Sequence, residues 1–319
     1  MASSSSTINY SVRQNKTIER SLVFGGLRRY GTIIDLRHAV YVGLGSAWFV
    51  DFEMAHRELG LRDMISIESD EVTFSRANFN RPYRTVELVR GISYDEVPKL
   101  LIRPDLTERP WVIWLDYDQA LDGSKVDELV GLVERAPANT ALLATFNAHP
   151  RSYGDGILDR LETFQGLFGD AFPSEDFPNG VGLANDGKVQ AATAEALLST
   201  LDSAARRVAR PGGFVAGFNL HYQDGSPMVT VGGFLPSPEK ADEVQQLVAG
   251  GPWRCFTTES INTPPLTPKE ISALRTLLPA DTEPSREDLK RLGFDLEERH
   301  LRSFVRYYLD YPLFVQAAR

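Results

Sequence analysis

The chain has 319 residues, 42% hydrophobic and 24% charged, a balance typical of globular proteins that excludes a disordered, collagen-like or coiled-coil chain. That length exceeds a domain of roughly 100–200 residues, so it accommodates one large α/β domain plus an appendage. Lys and Arg total 34 against 43 Asp and Glu, a formal charge of −9 and the wrong sign for sequence-independent binding of nucleic acid.

Residues 1–8 begin Met-Ala-Ser-Ser-Ser-Ser, with neither the charged nor the apolar region of a secretory signal, and read as a disordered leader. No run of 18 apolar residues occurs, so a cytoplasmic protein away from the membrane is expected. Beyond the leader lies a positive island. Through residue 38 it sets Arg13, Lys16, Arg20, Arg28, Arg29 and Arg37 against Glu19 and Asp35.

From Ala39 to Leu44 the run A-V-Y-V-G-L predicts a strand ending in Gly43-Leu44-Gly45-Ser46. A helix follows with Trp48, Phe49, Phe52, Met54, Ala55 and Leu59, stopped by Gly60. Met64–Ile67 is the second strand, ending in Glu68-Ser69-Asp70, and after a short helix a third stretch of β character covers Arg84–Val89. Pro110 opens the strongest strand signal, W-V-I-W-L at 111–115, which ends in Asp116-Tyr117-Asp118. A helix over about Ser124–Glu134 and a fifth strand at Thr140–Phe146 complete the alternation. Continuous apolar runs suit strands covered on both faces, the condition of a parallel sheet.

Residues 150–187 read as an insertion with one short helix, followed by a helix at about Val189–Val208. Phe214–Tyr222 and Met228–Leu235 flank an Asp-Gly turn and form a β-hairpin. A helix over about Pro238–Val248 closes the main domain, residues 9–249. Residues 250–319 then form a linker and a helical module. In that module Thr267 caps a helix at Lys269–Leu278, and a second helix spans Leu296–Tyr308. The aromatics of residues 302–315, interleaved with Arg302 and Arg306, fit a packed stripe that seals a domain edge or a dimer interface better than a base-stacking surface.

Glycines at the first strand-to-helix turn let a ligand approach the backbone, and an acid closing the second strand can accept both ribose hydroxyls. Gly43 and Gly45 supply the first and Glu68 the second, 25 residues after Gly43. A plain tight turn fits the glycines equally. Asp116 and Asp118 lie beyond the carboxyl end of a strand, where open α/β sheets bind ligands, and are the candidates for a general base. The alternative is that they cap the loop and the next helix. No third oxygen ligand accompanies them, so no metal is assigned. Asn147 and His149 follow the fifth strand, where a neutral imidazole could take a proton from an acceptor hydroxyl, and Asn219 and His221 end the sixth. Each histidine fits a structural loop residue as well, and His38, His56 and His300 read as structural or exposed. Cys255, the single cysteine, reads as a small buried hydrophobe.

Five strands alternating with helices, then a helix and a terminal hairpin, resemble the class I S-adenosylmethionine-dependent methyltransferase fold, a doubly wound Rossmann-like seven-stranded sheet whose seventh strand inserts antiparallel beside the sixth. Nicotinamide-binding Rossmann domains have a parallel sixth strand and no such hairpin. The resemblance covers about Ala39–Leu235 and implies S-adenosylmethionine as cofactor. It places Gly43, Leu44, Gly45 and Ser46 around the methionine part, Glu68 on the ribose, and Asp116, Tyr117 and Asp118 beside the departing methyl. The sequence departs from the family at Tyr41, where most members carry an acid.

More finely, V-Y-V-G-L-G-S-A-W-F-V-D-F, M-I-S-I-E-S-D, F-N-R-P-Y and W-L-D-Y-D resemble a bacterial group labelled O-methyltransferase on fold analogy, which implies a neighbourhood of mobile-element and phage-defence genes. The expected activity is methyl transfer to an oxygen or nitrogen acceptor. The rival reading, motivated by Tyr41 and by the lack of an Asn-Pro-Pro-Tyr run, is a catalytically silent binding or sensor subunit with a protein partner in a multi-gene defence complex. For the positive island three roles stand open: covering the cofactor and holding its carboxylate, meeting an anionic substrate such as RNA, DNA or a nucleotide, or forming a solvated helix face.

Overall fold

The computed structural model describes residues 13–172, 182–251, 253–257 and 259–313. The predicted leader, part of the predicted insertion (173–181) and the end of the aromatic run (314–315) lie outside the described residues.

Seven strands form one sheet: β1 (Val40–Leu44), β2 (Asp63–Glu68), β3 (Val86–Arg90), β4 (Trp111–Asp116), β5 (Thr140–Asn147), β6 (Val215–Asp224) and β7 (Ser226–Leu235). Their order is β3-β2-β1-β4-β5-β7-β6, with β1 to β5 parallel and β7 antiparallel to both β5 and β6. The run at 111–115 shows why the strands read as continuously apolar. Trp111, Ile113 and Leu115 belong to the core on one face, while Val112 and Trp114 belong to the core on the other. On the first face lie α4 (Ser93–Leu101), α5 (Gly123–Arg135), α6 (Ile157–Phe168) and α7 (Asp186–Arg207). The second carries α1 (Gln14–Tyr30), α2 (Val50–Leu59), α3 (Glu71–Asn80) and α8 (Ala241–Ala249), together with α9 (Pro268–Arg275), α10 (Arg286–Leu292) and α11 (Glu298–Tyr307).

The hairpin is tighter than predicted. Strand pairing runs on to Asp224 and resumes at Ser226, leaving Gly225 alone at the turn with φ +94°. Inserting β7 beside β5 brings backbones close at Gly232, where a Cβ would stand 2.0 Å from the Leu142 carbonyl oxygen. The predicted linker has structure of its own. Asn219 N–H donates to Cys255 O at 2.8 Å and Ile261 N–H to His221 O at 2.7 Å, so this segment pairs along the outer edge of β6 and shields it. The helical module joins the second core through Ile271, Leu274, Leu289, Leu301, Phe304 and Tyr307. Thr267 and Glu270 form a reciprocal capping box at the start of α9.

The positive island divides. Arg28 and Arg37 are exposed, whereas α1 packs against β6 and α2, burying Ile18, Leu22, Val23, Phe24 and Leu27 together with Asn15, Lys16, Glu19 and Arg20. Its first turn is fixed by Asp224 of the hairpin, whose carboxylate accepts from the backbone N–H of Lys16 (2.7 Å) and of Asn15 (3.3 Å).

Candidate functional site

Leu44 ends β1 and the chain turns at Gly45, whose N–H donates to Ile67 O at 2.6 Å. A Cβ on Gly45 would lie 2.9 Å from the Cβ of Glu68, so glycine is what allows the acid at the end of β2 to lie against the turn. Glu68 is buried, and burial pushes its carboxyl up even though Oε1 accepts from the Asp70 N–H at 3.0 Å. Ser46 accepts from the Trp48 N–H at 3.1 Å, and Phe49, with φ +48°, leads into α2 in the left-handed region.

Three cavities meet at the carboxyl ends of β1, β2 and β4. The largest, about 410 Å³, lies among Leu44, Gly45, Glu68, Ile92, Tyr94 and Glu128. A small one of about 60 Å³ lies under Ser46, Trp48 and Phe49 and is flanked by Arg20 and Asp51, whose side chains pair at 2.5 Å. The third, about 260 Å³, is lined by Arg13, Lys16, Asn147, Tyr222, Asp224 and Met228. Asp116 and Asp118 line all three. A single carboxylate pair therefore faces both the cleft beside Glu68 and the cavity beside the hairpin.

Behind Asp116 is a buried polar cluster that α1 supplies. Lys16 Nζ lies 2.8 Å from Asp116 Oδ2 and 3.3 Å from Glu19 Oε2, over the rings of Trp114 (4.8 Å) and Tyr222 (5.3 Å). Thr230 donates to Glu19 at 2.5 Å and pairs with Thr145, which accepts from the Trp114 indole N–H at 2.9 Å. Burial alone would lower the Lys16 pKa, but Asp116 and then Glu19 outweigh it and hold the ammonium well above its usual range. Burial raises Asp116, with Lys16 acting against it, and burial pushes Glu19 up to about 7. The cluster thus presents a fixed cation and an oriented carboxylate of increased basicity to the cavities.

Of the predicted residues, Leu44, Gly45, Ser46, Glu68, Asp116 and Asp118 come together at these cavities. Gly43 does not: it lies within β1, and its open side faces the rings of Tyr41 and Phe52. His149 lies outside all three linings. Its Nδ1 accepts from the Arg151 N–H at 3.2 Å and caps the short turn Pro150–Ser152. His221 is buried and, pushed by burial down to about 4, is neutral. Cys255 is a buried thiol that donates to Leu22 O, its pKa raised by burial to about 12. Among the described residues no group of three or more His, Cys, Asp or Glu could hold a metal ion, and no helix is long and apolar enough to cross a membrane. Sequence reasoning named Lys16 and Glu19 only as part of the positive island, and it missed Asp51 and Glu128.

The strand order and the reversed β7 define a class I methyltransferase fold. Within that class, the chain belongs to the family described as "Putative O-methyltransferase", which it matches over residues 8–319. No curated protein matches it. Among solved structures it is similar to Trm1 from Pyrococcus horikoshii in complex with S-adenosyl-L-methionine (13% identity, 72% of this chain, TM-score 0.40). The chain spans 57% of that protein's length. It is also similar to the Methanococcus jannaschii fibrillarin pre-rRNA processing protein (13% identity, 63% of this chain and 68% of that one, TM-score 0.38).

Proposed function

We propose that the protein is an S-adenosylmethionine-dependent methyltransferase acting on an oxygen or nitrogen acceptor held in the 260 Å³ cavity. The observation that carries this is the sharing of Asp116 and Asp118 between the cleft beside Glu68 and that cavity. The residues present fit the cofactor. Glu68 offers a buried carboxylate to the ribose hydroxyls, Gly45 leaves the backbone open to close approach, and Arg20 with Asp51 can engage the ammonium and carboxylate of the amino-acid end.

When bound, the cofactor supplies a methyl group activated by a sulfonium. The protein's part is proximity, alignment and, for a hydroxyl acceptor, removal of a proton. With a hydroxyl acceptor in the 260 Å³ cavity, the carboxylate of Asp116 would take the hydroxyl proton as the oxygen is methylated. Lys16 keeps that carboxylate in place. The reading as a silent binding protein rested on the lack of an Asn-Pro-Pro-Tyr run and on Tyr41, which is a core residue edge-on to Phe52 at 4.9 Å. Besides Glu68, a second acid, Asp51 of α2, lines the small cavity at the glycine turn. Titration calorimetry with S-adenosylmethionine and S-adenosylhomocysteine tests the proposal, and absence of binding at high micromolar ligand would refute it.

A further inference from the structure

A second buried carboxylate faces the large cleft. Glu128 of α5 is 7% exposed, and its Oε2 accepts two hydrogen bonds, from Ser93 Oγ at 3.0 Å and from the Tyr117 hydroxyl at 2.9 Å. Its Oε1 is buried with no hydrogen-bond partner among the described residues. Two donors on one oxygen fix the carboxylate plane and leave the other oxygen to act as an acceptor. Buried acceptors are normally paired, so an orphan on the wall of a binding cleft marks a place for a donor from a ligand. The same cleft exposes two apolar side chains, Ile92 at 52% and Tyr94 at 45%, surfaces suited to the face of a planar base.

We infer that Glu128 reads the base of the nucleoside cofactor, accepting a hydrogen bond from the exocyclic amino group of adenine and rejecting a base with a carbonyl at that position. This rests on the cofactor reading above and adds to it the residue that selects the base. The amino group is a donor that satisfies Oε1, whereas a carbonyl would set acceptor against acceptor in a buried setting. Sites built around such a donor discriminate strongly against analogues lacking it. Ser93 and Tyr117 act as positioning residues that aim the carboxylate.

The test is calorimetric titration of the full chain with S-adenosylhomocysteine and with S-inosylhomocysteine, in which a carbonyl replaces that amino group and N1 carries a hydrogen. Wild-type protein is expected to favour the adenosyl compound by about ten- to hundredfold, the range of a hydrogen bond to a charged group. Glu128→Gln, which can donate as well as accept, is expected to narrow that ratio to within about threefold or reverse it. A variant that keeps the wild-type ratio, or that weakens both ligands equally, overturns the assignment. Should Glu128→Gln not fold, Ser93→Ala removes one of the two aiming donors, and an unchanged ratio in that variant overturns it too. Wild-type protein that binds the adenosyl compound but does not discriminate overturns the role of Glu128 alone. Wild-type protein that binds neither overturns the cofactor reading and this inference with it.

Discussion

Lys16 Nζ and Asp116 Oδ2, one hundred positions apart in sequence, lie 2.8 Å from each other, with the lysine side chain 3% exposed and the aspartate 26%. This pair ties the N-terminal helix to the end of β4. Breaking a buried pair by removing one partner costs about 3–5 kcal/mol, because the other charge is left without compensation. Lys16→Met is therefore expected to destabilise by about that amount, and Lys16→Met with Asp116→Asn to recover a large part of it. Urea unfolding of the two single variants and the double variant measures the coupling; strictly additive effects would show that the pair does not act as a unit.

Glu19 gives a pH signature. Its folded-state pKa of about 7 is above the usual carboxylate value, so the native state holds the proton more tightly than the unfolded chain. The stability from this group is fully present below the unfolded pKa of about 4.3 and is lost as pH rises through 7. Glu19→Gln removes the titration. The stability of wild type relative to this variant is expected to fall between pH 4.5 and 7.5, by at most about 3 kcal/mol. Denaturant midpoints of both proteins across that range check it, and parallel pH profiles would contradict it.

The glycine turn and its acid divide into two tests of binding. Glu68→Ala is expected to weaken S-adenosylhomocysteine by about ten- to hundredfold through loss of charge-assisted hydrogen bonds to ribose. Gly45→Ala is expected to weaken it as well, because its Cβ meets Glu68 at 2.9 Å and displaces that acid. Glu68→Ala keeps the Cβ that the methyl meets, so the paired test uses Glu68→Gly: Gly45→Ala with Glu68→Gly removes that 2.9 Å contact and should bind no worse than Glu68→Gly alone. A further loss in the double variant would place the glycine's role in the backbone and not in its contact with Glu68.

These residues also mark what the sequence made legible. Glu68, Asp116 and Asp118 could be found because a parallel sheet ends each strand at the ligand edge, and the runs before them, M-I-S-I and W-V-I-W-L, declare their strands locally. The hairpin was visible in its Asp-Gly turn. Helix α1 was not legible as a buried element, because the polar groups on its inward face find partners only in space: Lys16 on Asp116, Glu19 on Thr230 and Arg20 on Asp51. Glu128 was hidden for the same reason, since its donors Ser93 and Tyr117 follow β3 and β4. Helix α4, which carries Pro98 inside it, gave no clear helical signal, and Cys255, Thr257 and Ile261 read as linker residues because their backbone groups and the Thr257 hydroxyl find their β6 partners only in space.

The last prediction separates acceptor from cofactor. Asp224 caps α1 through the backbone N–H groups of Asn15 and Lys16 and lines the 260 Å³ cavity, yet it is absent from the linings of the two cavities beside the glycine turn. Asp224→Ala removes a cap whose loss costs about 1 kcal/mol and loosens the first turn of the helix that carries Lys16. The variant is expected to unfold at slightly lower urea and to exchange the amide hydrogens at the start of α1 faster. Its affinity for S-adenosylhomocysteine is expected to match wild type, because Glu68, Gly45 and Arg20 are untouched. Hydrogen-exchange mass spectrometry beside calorimetry reads both quantities on one preparation. Loss of cofactor affinity in step with the faster exchange would mean that α1 closes the cofactor cleft as a whole, and the division between the two cavities would have to be redrawn.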